Sequence, residues 1–200
     1  MDIFAGFTVL QLAAALTTGL VAAFIRGLAG FGLAIILVPV LALALTPVEA
    51  VLTTNVVALL IGGLELPRLL REAERSVWTI IAMVFLTTLP GLALLAATPT
   101  DIARLLIALV ALSAFFAILF PVREPAQPGI VTTGLTGAAS GVLTGFAGMP
   151  GPPVVPYYVG RAIPRQVAKS SMILIFTFAA AIGIGSGLAL GRMHWRLAML

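Results

Sequence analysis

The composition of this 200-residue chain places it in a membrane. The chain is 61% hydrophobic and 9% charged, with a mean hydropathy of +1.19, whereas water-soluble domains carry about 25% charged residues. These values exclude a soluble domain. The net charge of +4 does not indicate nucleic-acid binding, because the basic residues stand singly between apolar runs, as in loops that obey the positive-inside rule. The absence of cysteine excludes disulfides and thiolate metal sites.

Seven uncharged runs predict a polytopic, all-α membrane protein. A helix needs roughly 20 apolar residues to cross the hydrocarbon. The first run is not a secretory signal peptide, because Asp2 stands where such a peptide is basic. The runs cover residues 3–25, 27–48, 50–64, 76–100, 105–122, 125–160 and 170–191.

The longest run, 125–160, cannot be one regular helix. Four prolines within seven residues remove backbone donors and clash with the preceding turn. We expect a helix to about Gly145, an irregular stretch and then a second short helix. Two stripes of glycine at intervals of four predict close helix packing. They consist of Gly137, Gly141 and Gly145, and of Gly183, Gly187 and Gly191.

The chain contains the same pattern twice, at an offset of 118 and then 117 residues. Internal duplication with interrupted hydrophobic segments is typical of transporters whose site lies between the repeats. We therefore predict a first repeat over residues 1–120, a linker over 121–128 and a second repeat over 129–200. The matching pairs are Gly27 and Gly145, Ala29 and Ala147, Gly30 and Gly148, Pro39 and Pro156, Pro47 and Pro164, Thr53-Thr54 and Ser170-Ser171, Arg75 and Arg192, and Trp78 and Trp195.

The basic residues favour an inverted repeat with the amino terminus outside. In that arrangement, with 27–48 as an inside-to-outside span, eight basic residues lie inside and three outside. A parallel repeat, with the first two runs merged into one broken segment, remains the alternative. The inside set is Arg26, Arg68, Arg71, Arg75, Arg123, Arg161, Arg165 and Lys169, and the outside set is Arg104, Arg192 and Arg196.

Glycine-rich breaks in both repeats predict a central anion site. A helix that begins at such a break presents unpaired N–H groups and the positive end of its dipole, and such an end binds anions. A kink that only serves helix packing is the alternative. The G-x-x-G-x-G order fits neither a dinucleotide fingerprint nor a P-loop, so we expect no cofactor and no ATP motor.

Arg26 is the charged residue most suited to an oxyanion in such a site, although it could instead snorkel to the headgroups. Hydroxyl and amide groups that follow each break could bind the anion or form interhelical hydrogen bonds. The predicted substrate-binding residues are Arg26, Gly27, Gly30, Gly32, Thr53, Thr54, Asn55, Gly145, Gly148, Pro150, Gly151, Ser170 and Ser171.

The remaining charged residues are expected to lie in solvated loops or at the interface. Arg161, Arg165 and Glu49 fall in the paired proline loops, and His194 lies among interfacial residues. A mixed-charge loop is expected at Glu65, Arg68, Arg71, Glu72, Glu74 and Arg75.

The two motifs RGLAGFGLAIILVP and TGFAGMPGPPVVP, each followed by Pro-x-x-(A/V)-(V/A)-x-(S/T)-(S/T), resemble the TauE/SafE family of sulfite and organosulfonate exporters. Phe31 stands where that family has a glycine. The resemblance implies a multi-pass secondary transporter of the bacterial inner membrane, with a small sulfur-containing oxyanion as its substrate and the lipid bilayer around it.

Other classes of function remain to be weighed against an exporter. An enzyme is not expected, because the acidic residues fall in apparent loops and there is one histidine. An accessory subunit without transport and a permease for small carboxylates are the alternatives.

The length raises a separate question. Nothing in the second repeat matches positions 84–120, about 37 residues, so its last span would be too short to cross the membrane. We expect either a truncated form or a short form completed by a homodimer.

Overall fold

The computed structural model describes residues 9–119 and 128–192, and the side chains of 16–116 and 128–192. Within these ranges it contains eight α-helices and no strand, which confirms the all-α class. The predicted linker, apart from Pro128, and the calls on His194, Trp195, Arg196 and the last span lie outside the described residues. The helices are α1 (Val9–Ala29), α2 (Leu33–Ala44), α3 (Pro47–Glu72), α4 (Ser76–Ala97), α5 (Thr100–Leu119), α6 (Ile130–Ala147), α7 (Gly151–Val159) and α8 (Arg165–Ala189).

Four of the described helices, α3, α4, α6 and α8, are long and apolar enough to cross a membrane. The two short helices α2 and α7 have 12 and 9 residues. At 1.5 Å per residue they are about 18 and 14 Å long, so neither crosses roughly 30 Å of hydrocarbon. The expectation that run 27–48 forms a complete span is therefore wrong.

Run 125–160 divides into two helices as predicted. Helix α6 continues two residues beyond Gly145, and α7 follows after a three-residue break. Only Pro150 lies in that break, whereas Pro152 and Pro153 lie in the first turn of α7. A proline is tolerated there, because first-turn N–H groups have no partner within the helix.

Helix α3 is longer than its uncharged run. It begins with a capping box, in which Thr46 and Glu49 bond to each other's backbone N–H. It continues through Glu65, Arg68 and Glu72, whose side chains pair at helical spacing. Four of the six residues of the predicted mixed-charge loop therefore lie in the last two turns of α3, and only Glu74 and Arg75 lie in the connection to α4, residues 73–75.

The first glycine stripe packs α6 against α4, which confirms its predicted role. A Cβ at Gly141 would lie 2.0 Å from Thr87 Oγ1, and one at Gly145 would lie 2.1 Å from the Thr88 carbonyl oxygen. Successive glycines of α6 face successively later residues of α4, so the two helices run parallel.

Helices α3 and α8 pack closely and run antiparallel. Two glycines of the second stripe, Gly183 and Gly187, contact α3, whereas nothing lies within 4 Å of a Cβ at Gly191. The contacts along this interface are Leu52 with Gly187, Asn55 with Gly183 and Gly62 with Thr177.

We name the two ends of the helix bundle after the helix connections that lie there, the α3–α4 connection and the α4–α5 connection. At the α3–α4 end, the side chains of Ser170 and Ser171 near the start of α8 bond to residues 72 and 74. At the α4–α5 end, Arg104 of α5 donates to the carbonyl of Ala42 at the end of α2. Helix α7 ends at the α3–α4 end, where the Tyr158 hydroxyl bonds to Ser76.

Candidate functional site

A small cavity lies between the two helix breaks, at the amino ends of both short helices. Its volume is about 40 Å³, and a buried water needs about 10–15 Å³ on this measure, so there is room for a small ion. The walls are mainly apolar. The lining residues are Arg26, Phe31, Gly32, Leu33, Ala34, Ile35, Asn55, Ala58, Gly148, Met149, Pro150, Gly151, Phe176 and Ala180.

Left-handed glycines form the breaks that bring these helix ends to the cavity. Gly32 precedes α2 with a φ of 104°, and Gly148 follows α6 with a φ of 66°. Side chains other than glycine rarely adopt this conformation. In both breaks the chain can therefore leave one helix and begin another within three residues.

Arg26 is buried beside the cavity. Only 4% of the residue is exposed, so the alternative in which it snorkels to headgroups is wrong. Its Nη1 donates to the Ala58 carbonyl oxygen at 3.1 Å, whereas its buried Nη2 has no hydrogen-bond partner. Within the described residues it forms no ion pair. The Glu65 carboxylate acts on Arg26 electrostatically from beyond ion-pair distance. A buried guanidinium without an ion-pair partner is costly and indicates a pathway or a ligand.

Asn55 also lines the cavity and is 3% exposed. Its Nδ2 is buried without a partner. The neighbouring Thr53 and Thr54 hydroxyls are likewise buried and unpartnered, but neither residue lines the cavity. The alternative role for these residues is interhelical hydrogen bonding. The Asn55 Nδ2 atom and the two threonine hydroxyls form no such bond.

Six of the thirteen predicted site residues line the cavity, and the other seven do not. Besides Arg26 and Asn55, the lining includes Gly32, Gly148, Pro150 and Gly151. Of the remaining glycines, Gly145 packs on α4, and Gly27 and Gly30 face Lys169.

Lys169 contacts both Gly27 and Gly30 at the end of α1. Its Nζ donates to the Gly27 carbonyl oxygen at 2.6 Å, which satisfies a carbonyl that the helix end leaves free. A Cβ at Gly30 would lie 2.8 Å from Lys169 Cγ. This glycine therefore permits close approach of α8, in addition to its positive φ of 84°.

Ser170 and Ser171 belong to a polar cluster at the α3–α4 end instead of the cavity. The Ser170 hydroxyl donates to Glu72, and the Ser171 hydroxyl accepts the Glu74 backbone N–H at 2.9 Å.

Arg161 is the most important residue that the sequence interpretation placed wrongly. It is not a solvated loop residue, because it is 7% exposed and donates to both Glu74 carboxylate oxygens at 2.6 and 2.7 Å. The hydrogen bonds to Glu74 raise the pKa of Arg161. Its guanidinium also lies 5.3 Å from the Tyr157 ring and 5.8 Å from the Tyr158 ring. The adjacent tyrosines, the only two in the chain, were the available signal.

Comparison with known proteins identifies one family. The family model described as sulfite exporter TauE/SafE matches residues 15–200. No curated protein and no solved structure matches the chain.

Proposed function

The chain belongs to the sulfite exporter TauE/SafE family, a family of multi-pass membrane transporters, and from this premise we propose that the cavity is its transport site. The protein exports a small sulfur-containing oxyanion, such as sulfite or an organosulfonate, across the bacterial inner membrane. It acts as a secondary transporter.

The observation that carries this proposal is a set of buried donors without acceptors. Arg26 Nη2 and Asn55 Nδ2 have no partner in the structure, and both residues line the cavity. Leaving a buried donor unsatisfied costs about 1–3 kcal/mol, and more when the group is charged. A bound oxyanion would supply both the acceptors and the counter-charge.

The two helix ends contribute differently to such a site. The first turn of α2 consists of Leu33, Ala34 and Ile35, which line the cavity and carry backbone N–H groups. The first turn of α7 contains Pro152 and Pro153, which have no N–H. The anion's oxygens therefore face α2, while α7 contributes its dipole and Gly151.

An inverted repeat accounts for the positions of these two helices. We assign α1–α3 and α6–α8 to corresponding parts of the two repeats, within 1–120 and 129–200. The antiparallel packing of α3 and α8 and the opposite ends reached by α2 and α7 support inversion over a parallel repeat.

The distribution of basic residues supports a cytoplasmic α3–α4 end. Six described basic residues lie toward that end and two toward the other, and cytoplasmic loops carry the excess of Lys and Arg. The six are Arg68, Arg71, Arg75, Arg161, Arg165 and Lys169, and the two are Arg104 and Arg192.

Flux of radiolabelled sulfite into proteoliposomes tests the proposed site. Arg26→Ala removes the buried cation and should reduce the apparent sulfite affinity by roughly 10- to 100-fold, because a hydrogen bond to a charged group contributes about 1.5–3 kcal/mol. Arg71→Gln, an exposed residue of α3, is the control and should transport normally. Unchanged flux in Arg26→Ala would remove Arg26 from the site.

A panel of ligands separates sulfur oxyanions from the alternatives. Binding to the folded state raises the unfolding temperature, so the purified protein is heated with sulfite, a short sulfonate, sulfate and acetate. Stabilisation by acetate alone would favour a carboxylate permease. If no member of the panel stabilises the protein, the accessory subunit becomes the better hypothesis.

A further inference from the structure

Gly62 lies in the middle of α3, where Arg26 and α8 meet, but it does not line the cavity. A Cβ at this position would lie 2.9 Å from Arg26 Nη2 and 2.0 Å from Thr177 Oγ1. Side chains do not approach so closely, so any residue other than glycine would displace one or both of these groups.

The position of the Arg26 guanidinium makes its displacement the important consequence. Its Nη1 is held by the carbonyl oxygen of Ala58, one helical turn before Gly62. The guanidinium is planar and rigid, and with Nη1 held there its Nη2 lies 2.9 Å from the position that a Cβ of residue 62 would occupy. A methyl group at position 62 would push Nη2 away from α3 and disturb the Nη1 bond.

We propose that Gly62 is a positioning residue for anion binding: its missing Cβ forms the slot between α3 and α8 that holds the Arg26 guanidinium at the cavity. This role rests on the proposed function of the cavity. It differs from that of Gly187, where the missing Cβ accommodates the apolar side chain of Leu52.

The experiment compares Gly62→Ala with Gly63→Ala in the full chain, using sulfite as the probe in proteoliposome flux. Gly63 is exposed, and nothing lies within 4 Å of a Cβ there. Gly62→Ala should raise the KM for sulfite about tenfold, the loss of one charged hydrogen bond, with a smaller change in maximal rate. Gly63→Ala should keep the wild-type KM.

A second variant separates positioning from helix packing. Thr177→Gly removes the Thr177 atoms that a Cβ at position 62 would meet, and leaves only the contact with Arg26. In the double variant Gly62→Ala/Thr177→Gly, the unfolding temperature without sulfite should return to that of Thr177→Gly, while the KM stays high. If Gly62→Ala alone does not fold, the KM of the double variant is compared with that of Thr177→Gly instead.

Two results would overturn the proposal: a wild-type KM in Gly62→Ala, or recovery of the KM together with the unfolding temperature in the double variant. Arg26→Ala, measured in parallel, distinguishes the failures. If Arg26→Ala loses affinity and the Gly62 variants do not, only the positioning role is wrong. If Arg26→Ala keeps the wild-type affinity for sulfite, the proposed transport site is wrong, and the proposed role of Gly62 is then wrong as well.

Discussion

At the scale of single residues, two neighbours on α3 differ in their relation to the cavity. Asn55 and Thr54 are both buried, and each has a polar atom without a hydrogen-bond partner. Only Asn55 lines the cavity. If the anion is bound only by unsatisfied polar groups that line the cavity, substitution of Asn55 should affect transport and substitution of Thr54 should not.

Asn55→Asp keeps the shape of the side chain and replaces its amide with a carboxylate. The new charge would pair with Arg26 and repel an incoming anion, because interactions between charges are strong where water is excluded. We expect the apparent sulfite affinity to fall by at least about 100-fold, since a like charge adds to the lost donor. Titration of sulfite against flux measures this, and an affinity within twofold of wild type would contradict it.

Thr54→Val is the matched substitution next to it. It replaces a buried hydroxyl that has no partner with a methyl group of similar size. Removing such a group is nearly neutral or stabilising, so the unfolding temperature should stay the same or rise. The sulfite KM should not change, and a rise in KM would extend the site to Thr54.

At the scale of the helices, glycine determines which pairs approach closely. Gly145 has the Thr88 carbonyl oxygen 2.1 Å from its Cβ position, whereas Gly134, on the same helix, has nothing within 4 Å. The α4–α6 pair therefore depends on Gly145 and not on every glycine of α6.

Gly145→Ala should lower the free energy of unfolding by about 2 kcal/mol or more, because the clash is with backbone that cannot rotate away. Gly134→Ala should be neutral or stabilise by up to about 1 kcal/mol through helix propensity. Denaturation of the two purified variants in detergent gives the comparison. Equal stability would show that α4 and α6 can separate without cost.

Much of this helical architecture could be predicted from the sequence, because glycine and proline act locally. The break after α6 and the first glycine stripe follow from single-residue conformational limits. The extension of α3 beyond Leu64 could not be predicted from uncharged runs, because its charged side chains pair along the helix surface.

The candidate site could be predicted only in part for a related reason. The helix breaks can be predicted from the glycines within them. The burial of Arg161 cannot, because it depends on pairing with Glu74, 87 residues away in sequence. The contact of Gly62 with Arg26 likewise depends on how the end of α1 meets α3 and α8. No local pattern reports such long-range partners.

At the scale of the whole molecule, the two ends differ in their chemistry. The α3–α4 end is polar, with the Arg161–Glu74 pair and the Tyr158–Ser76 hydrogen bond. Toward the α4–α5 end lies a buried apolar cluster that includes Leu41 and Leu95. We infer that opening toward the α3–α4 end requires the ion pair to break.

Glu74→Gln should therefore make the cavity more accessible from the α3–α4 end. A partly buried pair of this kind contributes roughly 2 kcal/mol, between the values for exposed and buried pairs. The chain has no cysteine, so Ala34→Cys in the cavity lining provides a unique label. Reaction of this Cys with a membrane-impermeant thiol reagent should become up to about 30-fold faster from that end, the factor that corresponds to this loss.

Glu49→Gln is the control at the opposite end, where Glu49 closes the capping box of α3. It should leave labelling from the α3–α4 end unchanged. Equal labelling rates in Glu74→Gln and in the parent Ala34→Cys chain would mean that the ion pair does not close the cavity.

The central claim is that the cavity between the two helix breaks binds a small oxyanion through Arg26. Equilibrium binding of radiolabelled sulfite to the purified protein, with and without Arg26→Ala, tests it most directly. We predict saturable binding of about one sulfite per chain, which unlabelled sulfite displaces and which Arg26→Ala weakens by roughly 10- to 100-fold. Saturable binding of equal affinity in both proteins would contradict the claim.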